Sequence, residues 1–380
     1  MERLKIALAC DWYAPQVGGI ENHIRDLASA LRARGHEPHV ISSTPGPDQL
    51  DGVPVHRLDV ARLPRWRVVA DPQTVSRVRG LCERERFDVV HGHSFQSPLA
   101  HLAMYVSRGL AIPGVLTQHS MLGPRPTALL RWLDRRVGWS SWPTVITAVS
   151  RPAAQRARAA ADRDVRVLHT GLDLSAWTRR QAASRGPLRV VCVTRLYAHK
   201  RTDELLRAIP RVLAASRHGH ALRFVIVGDG PERRTLERLA RRLGIAATTS
   251  FTGALARHEV ARILERSHVF VLPNTDEAFG IAALEARALG LPVVARGASG
   301  ACDLVAHERD GLLCETIDDM ARAITRLCDD DVLRAALSSK ARLGLERFDW
   351  TQAVDRHLAI YRQALARDEA AAAPRVQLRR

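Results

Sequence analysis

Two glutamates eight positions apart, Glu277 and Glu285, are the residues of this sequence whose spacing most strongly suggests chemistry. An apolar run at 269–273 precedes them, and a second apolar run follows at 293–295. This order predicts a strand, a loop that holds Glu277, a helix with Glu285 about two turns into it, and another strand. Eight residues at about 100° per residue return to nearly the same face, so both carboxylates should point the same way.

The loop between that strand and that helix is a suitable place for a ligand. Open α/β sheets bind ligands outside the carboxyl ends of their strands, and a helix N-terminus favours anions such as phosphate. The N–H groups around Phe279, Gly280 and Ile281 could meet a phosphate while the two carboxylates accept sugar hydroxyls. The alternative is a capping loop with one solvated glutamate.

Two cations follow an earlier strand of the same half. Arg195 and Lys200 are five positions apart in the loop after the apolar run 188–193. Arginine offers a planar fork and lysine a point charge, so together they can bind one diphosphate. The next strand ends in a tight turn that begins at Gly228. The alternative is a solvated basic loop.

The first half opens with a strand at 4–10, a loop that ends in Gly18-Gly19, and a helix from Glu21 to Arg34. Such a start can bring backbone N–H groups against a phosphate. The loop lacks G-x-G-x-x-G, so it is not a dinucleotide fingerprint.

Histidines stand at the ends of two later strands: His91 and His93 end one, and His119 ends the next. Imidazoles make a zinc site conceivable on ligand type. No carboxylate or cysteine completes such a site at a sensible spacing, so we expect no metal.

Taken together, these segments resemble the E-x7-E signature and accompanying motifs of retaining GT-B glycosyltransferases of family 4 (group 1). The resemblance covers nearly the whole chain. It implies an α/β protein of two doubly wound Rossmann-like domains facing a cleft. It also implies a nucleotide-diphosphate sugar donor, with no cofactor and no metal requirement.

The resemblance also implies a role for each matching residue. The catalytic group comprises His119, Glu277, Arg195 and Lys200. The donor-binding group comprises Gly18, Gly19, Gly228, Phe279, Gly280, Ile281 and Glu285. The residues on the acceptor side are Glu21, His23 and His93. The sequence departs from the family pattern at Thr170, which replaces an asparagine, and at Thr194, which replaces a glycine.

Within the group, the segments 18–24 and 117–123 are similar to the catalytic subunits of phosphatidylinositol N-acetylglucosaminyltransferases. This similarity favours UDP-GlcNAc as donor and a lipid-linked acceptor. A GDP-mannose-dependent mannosyltransferase and a GT-B sugar-nucleotide epimerase remain alternatives. A phosphorylase would need a pyridoxal lysine, and the chain has only Lys5, Lys200 and Lys340.

The domain boundaries follow from composition. We predict a first, acceptor-side domain over 1–177, a polar linker over 178–187 and a nucleotide-sugar-binding domain over 188–348. A last helix at 349–366 should cross back to the first domain, and a disordered basic tail should occupy 367–380.

The formal net charge of +17 comes almost entirely from arginine and suits an anionic partner. The arginines are dispersed and no nucleic-acid-binding motif occurs, so we expect no nucleic acid. A stretch at 127–142 sets Trp132 and Trp139 among arginines at helical spacing. It would either dock on an anionic membrane or pack its tryptophans inward.

The expected location is cytoplasmic, with a peripheral position on the inner face of the cell membrane left open. Six scattered cysteines without redox or metal spacing indicate reduced thiols. The N-terminus shows no signal-peptide pattern, and no apolar run reaches the length of a membrane span. The oligomeric state is not predicted.

Overall fold

A computed structural model describes residues 3–16, 18–63, 68–178 and 186–372. The chain forms two compact units. The first comprises Met1–Gly171 with Phe348–Arg380, and the second comprises Leu172–Arg347. The division falls after Gly171 because Trp177 is buried in the second unit, where the Arg257 guanidinium lies 5.5 Å from its ring centroid.

The first unit alternates strands and helices from its beginning. Its elements up to the division are β1 (Lys5–Ala9), α1 (Gly19–Ala33), β2 (Glu37–Ser42), β3 (Gln49–Leu50), β4 (Val53–Arg57), β5 (Arg62–Leu63), β6 (Val68–Val69), α2 (Thr74–Glu85), β7 (Val89–His93), α3 (Pro98–Gly109), β8 (Gly114–Gln118), α4 (Pro124–Val137), β9 (Val145–Ala148), α5 (Arg151–Ala161) and β10 (Arg166–Val167).

The second unit follows the same alternation. Its elements are β11 (Arg189–Val193), α6 (Thr202–Ala215), β12 (Arg223–Val227), α7 (Arg233–Arg242), β13 (Thr249–Gly253), α8 (Arg257–Glu265), β14 (Val269–Leu272), α9 (Ile281–Ala288), β15 (Val293–Arg296), β16 (Gly311–Cys314), α10 (Ile317–Asp329) and α11 (Asp331–Lys340).

The last helix, α12 (Trp350–Ala372), belongs to the first unit. Val354, Leu358 and Tyr361 are buried in that unit's core together with β1 and α1. The predicted disordered tail is wrong for residues 367–372, because the alanine-rich sequence continues the helix. Most of the predicted linker (179–185) and the rest of the tail (373–380) lie outside the described residues.

The first unit is built on a largely parallel sheet of order β10-β9-β8-β7-β1-β2-β4-β3. Only the β3–β4 pairing within it is antiparallel. Its central strands are apolar runs buried on both faces, as parallel sheets covered by helices require. The α1 helix covers one face with Ile24, Leu27 and Leu31.

The second unit has an all-parallel sheet of order β13-β12-β11-β14-β15-β16. Its core includes β-strand residues such as Phe224 and Val271 and, from α6 and α10, Ile209 and Ile324. The α10 helix begins with a capping box in which Thr316 and Asp319 bond to each other's backbone N–H.

The tryptophan-rich stretch divides between two elements. The helix α4 ends at Val137, so Trp139 lies in a following 3₁₀ turn, is buried, and donates its Nε1–H to the Leu130 carbonyl at 2.9 Å. Trp132 points outward and is 53% exposed. The expected common helical face for both tryptophans is therefore wrong, because the chain leaves the helix at Gly138. Among the described residues, no helix combines the length and apolar character that a membrane crossing needs.

Candidate active site

The sheet of the second unit changes direction beside β11. Successive strands lie outward as β11, β12 and β13 on one side, and as β14, β15 and β16 on the other. Open α/β sheets bind ligands at the carboxyl ends of the strands where the order reverses. The loops 194–201 and 273–280 leave neighbouring parallel strands at this edge.

Lys200 and Glu277 form an ion pair across this switch point. Lys200 Nζ lies 2.8 Å from Glu277 Oε2, and both side chains are about five-sixths buried, with exposures of 17% and 16%. Asn274 Nδ2 donates a second hydrogen bond to the same oxygen at 3.1 Å. Burial alone would raise the pKa of Glu277, but the Lys200 charge and these hydrogen bonds outweigh it and lower the pKa below its usual value.

Arg195, the other predicted cation, is exposed at the same loop. Its guanidinium lies over the Tyr197 ring, 5.6 Å from the centroid. No carboxylate among the described residues forms an ion pair with it. Such a guanidinium can still bind an incoming phosphate with its planar fork.

The N-terminus of α9 is also at this edge. Gly280 precedes the helix with φ +94°, a conformation that disfavours any residue with a Cβ. The first intrahelical bonds run from Ala283 and Leu284 to the Gly280 carbonyl, so the N–H groups of Ile281 and Ala282 have no acceptor within the helix. Phe279, 3% exposed, fixes the loop below them.

Glu285 has surroundings different from those of Glu277. Its Oε1 lies 3.4 Å from Arg257 Nε, and the residue is 9% exposed. Because α9 begins only at Ile281, Glu285 lies one turn into the helix rather than two. The helical period does not extend back through Gly280, so the predicted common face of the two glutamates does not follow from their spacing.

Gly228 has a positional role. Its N–H is bonded to the Gly253 carbonyl at 2.9 Å, so it is not available to a phosphate. Its φ is +132°, and a Cβ here would overlap the carbonyl oxygen of Thr194. The residue therefore lets the loops after β11 and β12 approach each other closely.

The predicted glycine loop of the first unit ends at the start of α1. Gly18 is the N-cap residue and accepts the Asn22 N–H at 3.0 Å, while Gly19 is exposed. The carboxylate of Glu21 lies against the Cα of Gly18. A protein carboxylate therefore lies beside this positive helix end, where it is favoured electrostatically.

Three predicted histidines come together in the first unit. The strands β7 and β8 are adjacent and parallel, which places His93 Nδ1 2.9 Å from His119 Nε2. His23, from α1, has its ring centroid 4.7 Å from that of His119 and 5.6 Å from that of His93. The hydroxyl oxygen of Thr170 lies 2.5 Å from His23 Nδ1.

His91 turns away from this group. Its Nδ1 contacts the Tyr361 hydroxyl at 2.8 Å, and its Nε2 contacts Thr117 Oγ1 at 2.6 Å. Sequence reasoning missed His357, whose ring centroid lies 5.8 Å from that of His23. The available signal was its place between Ala353 and Tyr361 on the apolar face of the returning helix.

Burial keeps these imidazoles neutral. It lowers the pKa of His119 to about 3 and that of His357 to about 4. Burial, reinforced by the neighbouring histidines, lowers the pKa of His23 and His93 well below the usual value. At neutral pH the group is an uncharged surface that can exchange hydrogen bonds with hydroxyl groups.

Two family models divide the chain between them. The model described as Glycosyltransferase Family 4 matches residues 17–176, and that described as Glycosyl transferases group 1 matches residues 175–344. Among curated proteins, the chain is 26% identical to a phosphatidylinositol N-acetylglucosaminyltransferase of Arabidopsis thaliana, over 85% of this chain and 74% of that protein.

A second relative is a GDP-mannose-dependent alpha-(1-6)-phosphatidylinositol monomannoside mannosyltransferase of Mycobacterium tuberculosis. It is 28% identical over 89% of this chain and 92% of its own length. Among solved structures, Anabaena HepE in complex with UDP and glucose matches with a TM-score of 0.77. That match has 20% identity and covers 94% of this chain and 99% of HepE. With both halves matched by its models, this chain belongs to the family 4 glycosyltransferases of the GT-B fold, which act on nucleotide-sugar donors.

Proposed function

We propose that this glycosyltransferase is retaining, needs no metal, and transfers N-acetylglucosamine from UDP-GlcNAc to a lipid-linked acceptor. The observation that carries the donor half of this proposal is the buried Lys200–Glu277 ion pair at the switch point of the second sheet. It fixes a cation and a sugar-binding carboxylate at one strand edge.

The diphosphate is assigned to cations and helix amides. Lys200 is held by Glu277 at the edge, and Arg195 presents a guanidinium with no described carboxylate partner. The amides of Ile281 and Ala282 add the positive end of α9. These groups would stabilise the charge that grows on the leaving phosphate, which removes the need for a bound metal.

The transfer itself is assigned to the substrates. The bond between the anomeric carbon and the phosphate oxygen breaks, and the acceptor oxygen bonds to the same face of the sugar. The acceptor proton passes to the departing phosphate, so no protein nucleophile is named. His119 and Glu277 would bind the donor sugar, Glu285 the ribose hydroxyls, and Glu21, His23 and His93 the acceptor side.

The donor choice rests on relatives. The Arabidopsis relative is named for transfer of N-acetylglucosamine, whereas the mycobacterial relative is named for GDP-mannose. GDP-mannose-dependent transfer is therefore the alternative, and a sugar-nucleotide epimerase is a third possibility from another reaction class.

Donor turnover separates these three functions. Purified protein is incubated with UDP-GlcNAc, UDP-glucose or GDP-mannose, with phosphatidylinositol as acceptor and with no acceptor. We expect release of UDP from UDP-GlcNAc and an α-linked product by NMR. Product from GDP-mannose alone would select the alternative donor. Epimerised sugar without an acceptor would identify the epimerase, and an inverted anomeric centre would reject the retaining mechanism.

Metal dependence is tested in chelator. The loops after β11 and β14 contain no D-x-D motif, and the proposed diphosphate ligands are cationic. Turnover should therefore persist in EDTA. Complete loss that Mn²⁺ or Mg²⁺ restores would reject this part of the proposal.

The lipid acceptor is supported by the outer face of α4. Leu129 is 57% exposed and Trp132 53% exposed, and the Arg136 guanidinium lies 5.7 Å from the Trp132 ring centroid. Arg131 and Arg135 are exposed on the same helix. Exposed apolar and aromatic side chains between arginines suit the interface of an anionic bilayer, where each basic residue contributes about 1 kcal/mol.

Vesicle co-sedimentation tests this membrane contact. We expect binding to anionic but not neutral vesicles, and weaker binding at high salt. Arg131→Glu with Arg135→Glu should abolish it. The matched control is Arg238→Glu with Arg242→Glu on α7, because each pair changes the net charge from +17 by four units to +13. Equal losses in both pairs would reduce the effect to net charge, and equal binding to both vesicle types would favour a soluble acceptor.

A further inference from the structure

Three imidazoles from distant parts of the first unit offer their nitrogens to one point. One ring nitrogen from each of His23, His93 and His119 lies within 4.8 Å of the other two. The closest pair, His93 Nδ1 and His119 Nε2, is 2.9 Å apart. Nitrogens bound to one tetrahedral zinc ion at 2.0–2.1 Å would be about 3.3 Å apart, so small side-chain rotations would bring this trio to that geometry.

The His23 ring is held in an orientation suited to a metal ligand. Its Nδ1 contacts Thr170 Oγ1, which leaves Nε2 as the nitrogen available to a ligand. The residue is 2% exposed, and Nε2 has no hydrogen-bond partner among the described residues. Metal-binding histidines commonly use one nitrogen for the ion while the other is fixed by a neighbouring polar group.

His93 shows the same deficit. It is fully buried, and its Nε2 also lacks a hydrogen-bond partner within the described part of the chain. Buried polar atoms are normally paired, so two unpaired imidazole nitrogens in one cluster call for a ligand. His119 is only partly buried, which gives an ion a route from solvent.

We propose that His23, His93 and His119 form a binding site for one Zn²⁺ ion, with a water molecule or a substrate oxygen as the fourth ligand. Three protein ligands with one open position make a recognised zinc arrangement, and imidazole is among the ligands zinc prefers. The proposal concerns a binding site alone, because sugar transfer is assigned above to groups that work without metal.

A second group of the same unit is the natural rival. His39, His56 and Glu85 also place one ligand atom each within 4.8 Å of the others. Glu85 is already 2.9 Å from Lys5 Nζ, and His39 uses one nitrogen on His56 and the other on Glu37. A cation would displace these bonds and approach the lysine charge, so we assign the ion to the first group.

The test uses the full chain, freed of metal by chelator, and Co²⁺ as a spectroscopic substitute for zinc. We expect one Co²⁺ per chain, with the intense visible bands of a four-coordinate ion, and displacement by one Zn²⁺. Zinc at a hundred times its Kd should raise the Tm of the chain by about 5–10 °C. A spectrum of six-coordinate Co²⁺, or no change in Tm, would overturn the site.

Variants locate the ion. His23→Gln and His93→Gln should each weaken binding at least roughly a hundredfold, and Thr170→Val about 10–100-fold, because an orienting partner is lost. His56→Gln in the rival group and His220→Gln on the surface should bind as the parent does. Circular dichroism and the Tm in chelator establish that each variant is folded. Unchanged affinity in folded His23→Gln and His93→Gln, or loss confined to His56→Gln, would overturn the assignment.

Discussion

The two units of this chain share a sheet plan but differ in what lies at the ligand-binding edge. In the first unit, β1 lies between β2 and β7, and in the second, β11 lies between β12 and β14. Both sheets therefore reverse their strand order beside their first strand. The first edge holds buried, neutral imidazoles, whereas the second holds a buried ion pair and an exposed arginine.

This difference shows that the fold supplies a position and the loop residues supply the chemistry. A cation at the second edge can bind a diphosphate by charge. At the first edge, burial lowers the pKa of His119 to about 3, so its imidazole acts through hydrogen bonds instead. The two edges should therefore respond differently to mutation and to pH.

The largest expected effect concerns the close loop approach of the second unit. Gly228→Ala places a Cβ over the Thr194 carbonyl at φ +132°, so we expect a loss of about 3–5 kcal/mol in unfolding free energy. The control is Gly92→Ala at the first edge, where the nearest atom is the side-chain Leu116 Cδ1 at 3.0 Å. Its loss should be about 1 kcal/mol. Urea unfolding measures both, and equal losses would show that the two edges are equally tight.

The next effect concerns charge at the second edge. Lys200→Ala should weaken UDP binding by ~1.5–3 kcal/mol, the range for hydrogen bonds to charged groups. Because this change leaves the Glu277 carboxylate unpaired, Lys200→Ala with Glu277→Gln is measured beside it. Lys340→Ala, an exposed lysine of α11, is the matched control. Unchanged affinity in calorimetry would remove the diphosphate from this edge.

A smaller effect should separate the first edge from nucleotide binding. His91→Phe removes the contacts to Tyr361 and Thr117, so we expect a loss of about 1–3 kcal/mol in unfolding free energy. Tyr361→Phe removes only one of these contacts and should have a smaller effect. UDP affinity should stay the same in both variants. A change in UDP affinity as large as that of Lys200→Ala would erase the proposed distinction.

The smallest effect concerns pH. Burial lowers the pKa of His101 in the first unit below 6.5, so its contribution to stability is complete above pH 6.5 and declines as the pH falls. The pKa of Glu277 is lowered below 4.5, so its contribution declines only below pH 4.5. His101→Gln should flatten the Tm profile just below pH 6.5, and Glu277→Gln below pH 4.5. Reversed windows would contradict these environments.

The order of strands, loops and helices was predictable because it is encoded locally. The predicted helix from Thr202 to Ala214 agrees with α6, and the predicted strand-end positions of His93 and His119 agree with β7 and β8. A predicted helix over 332–347 fails after Lys340, because the chain turns at Gly344 with φ +71°. That boundary depends on a backbone conformation that the apolar period does not reveal.

The sequence by itself determined which residue types stand at the strand ends of this protein, because hydrophobic period and glycine punctuation are local signals. Only the tertiary structure decided their partners. Lys200 pairs with Glu277 over 77 positions, and His23 contacts Thr170 over 147. It also decided that Trp132 faces outward while Trp139 is buried. Such contacts depend on which strands lie side by side and where each helix ends, and no local pattern specifies either.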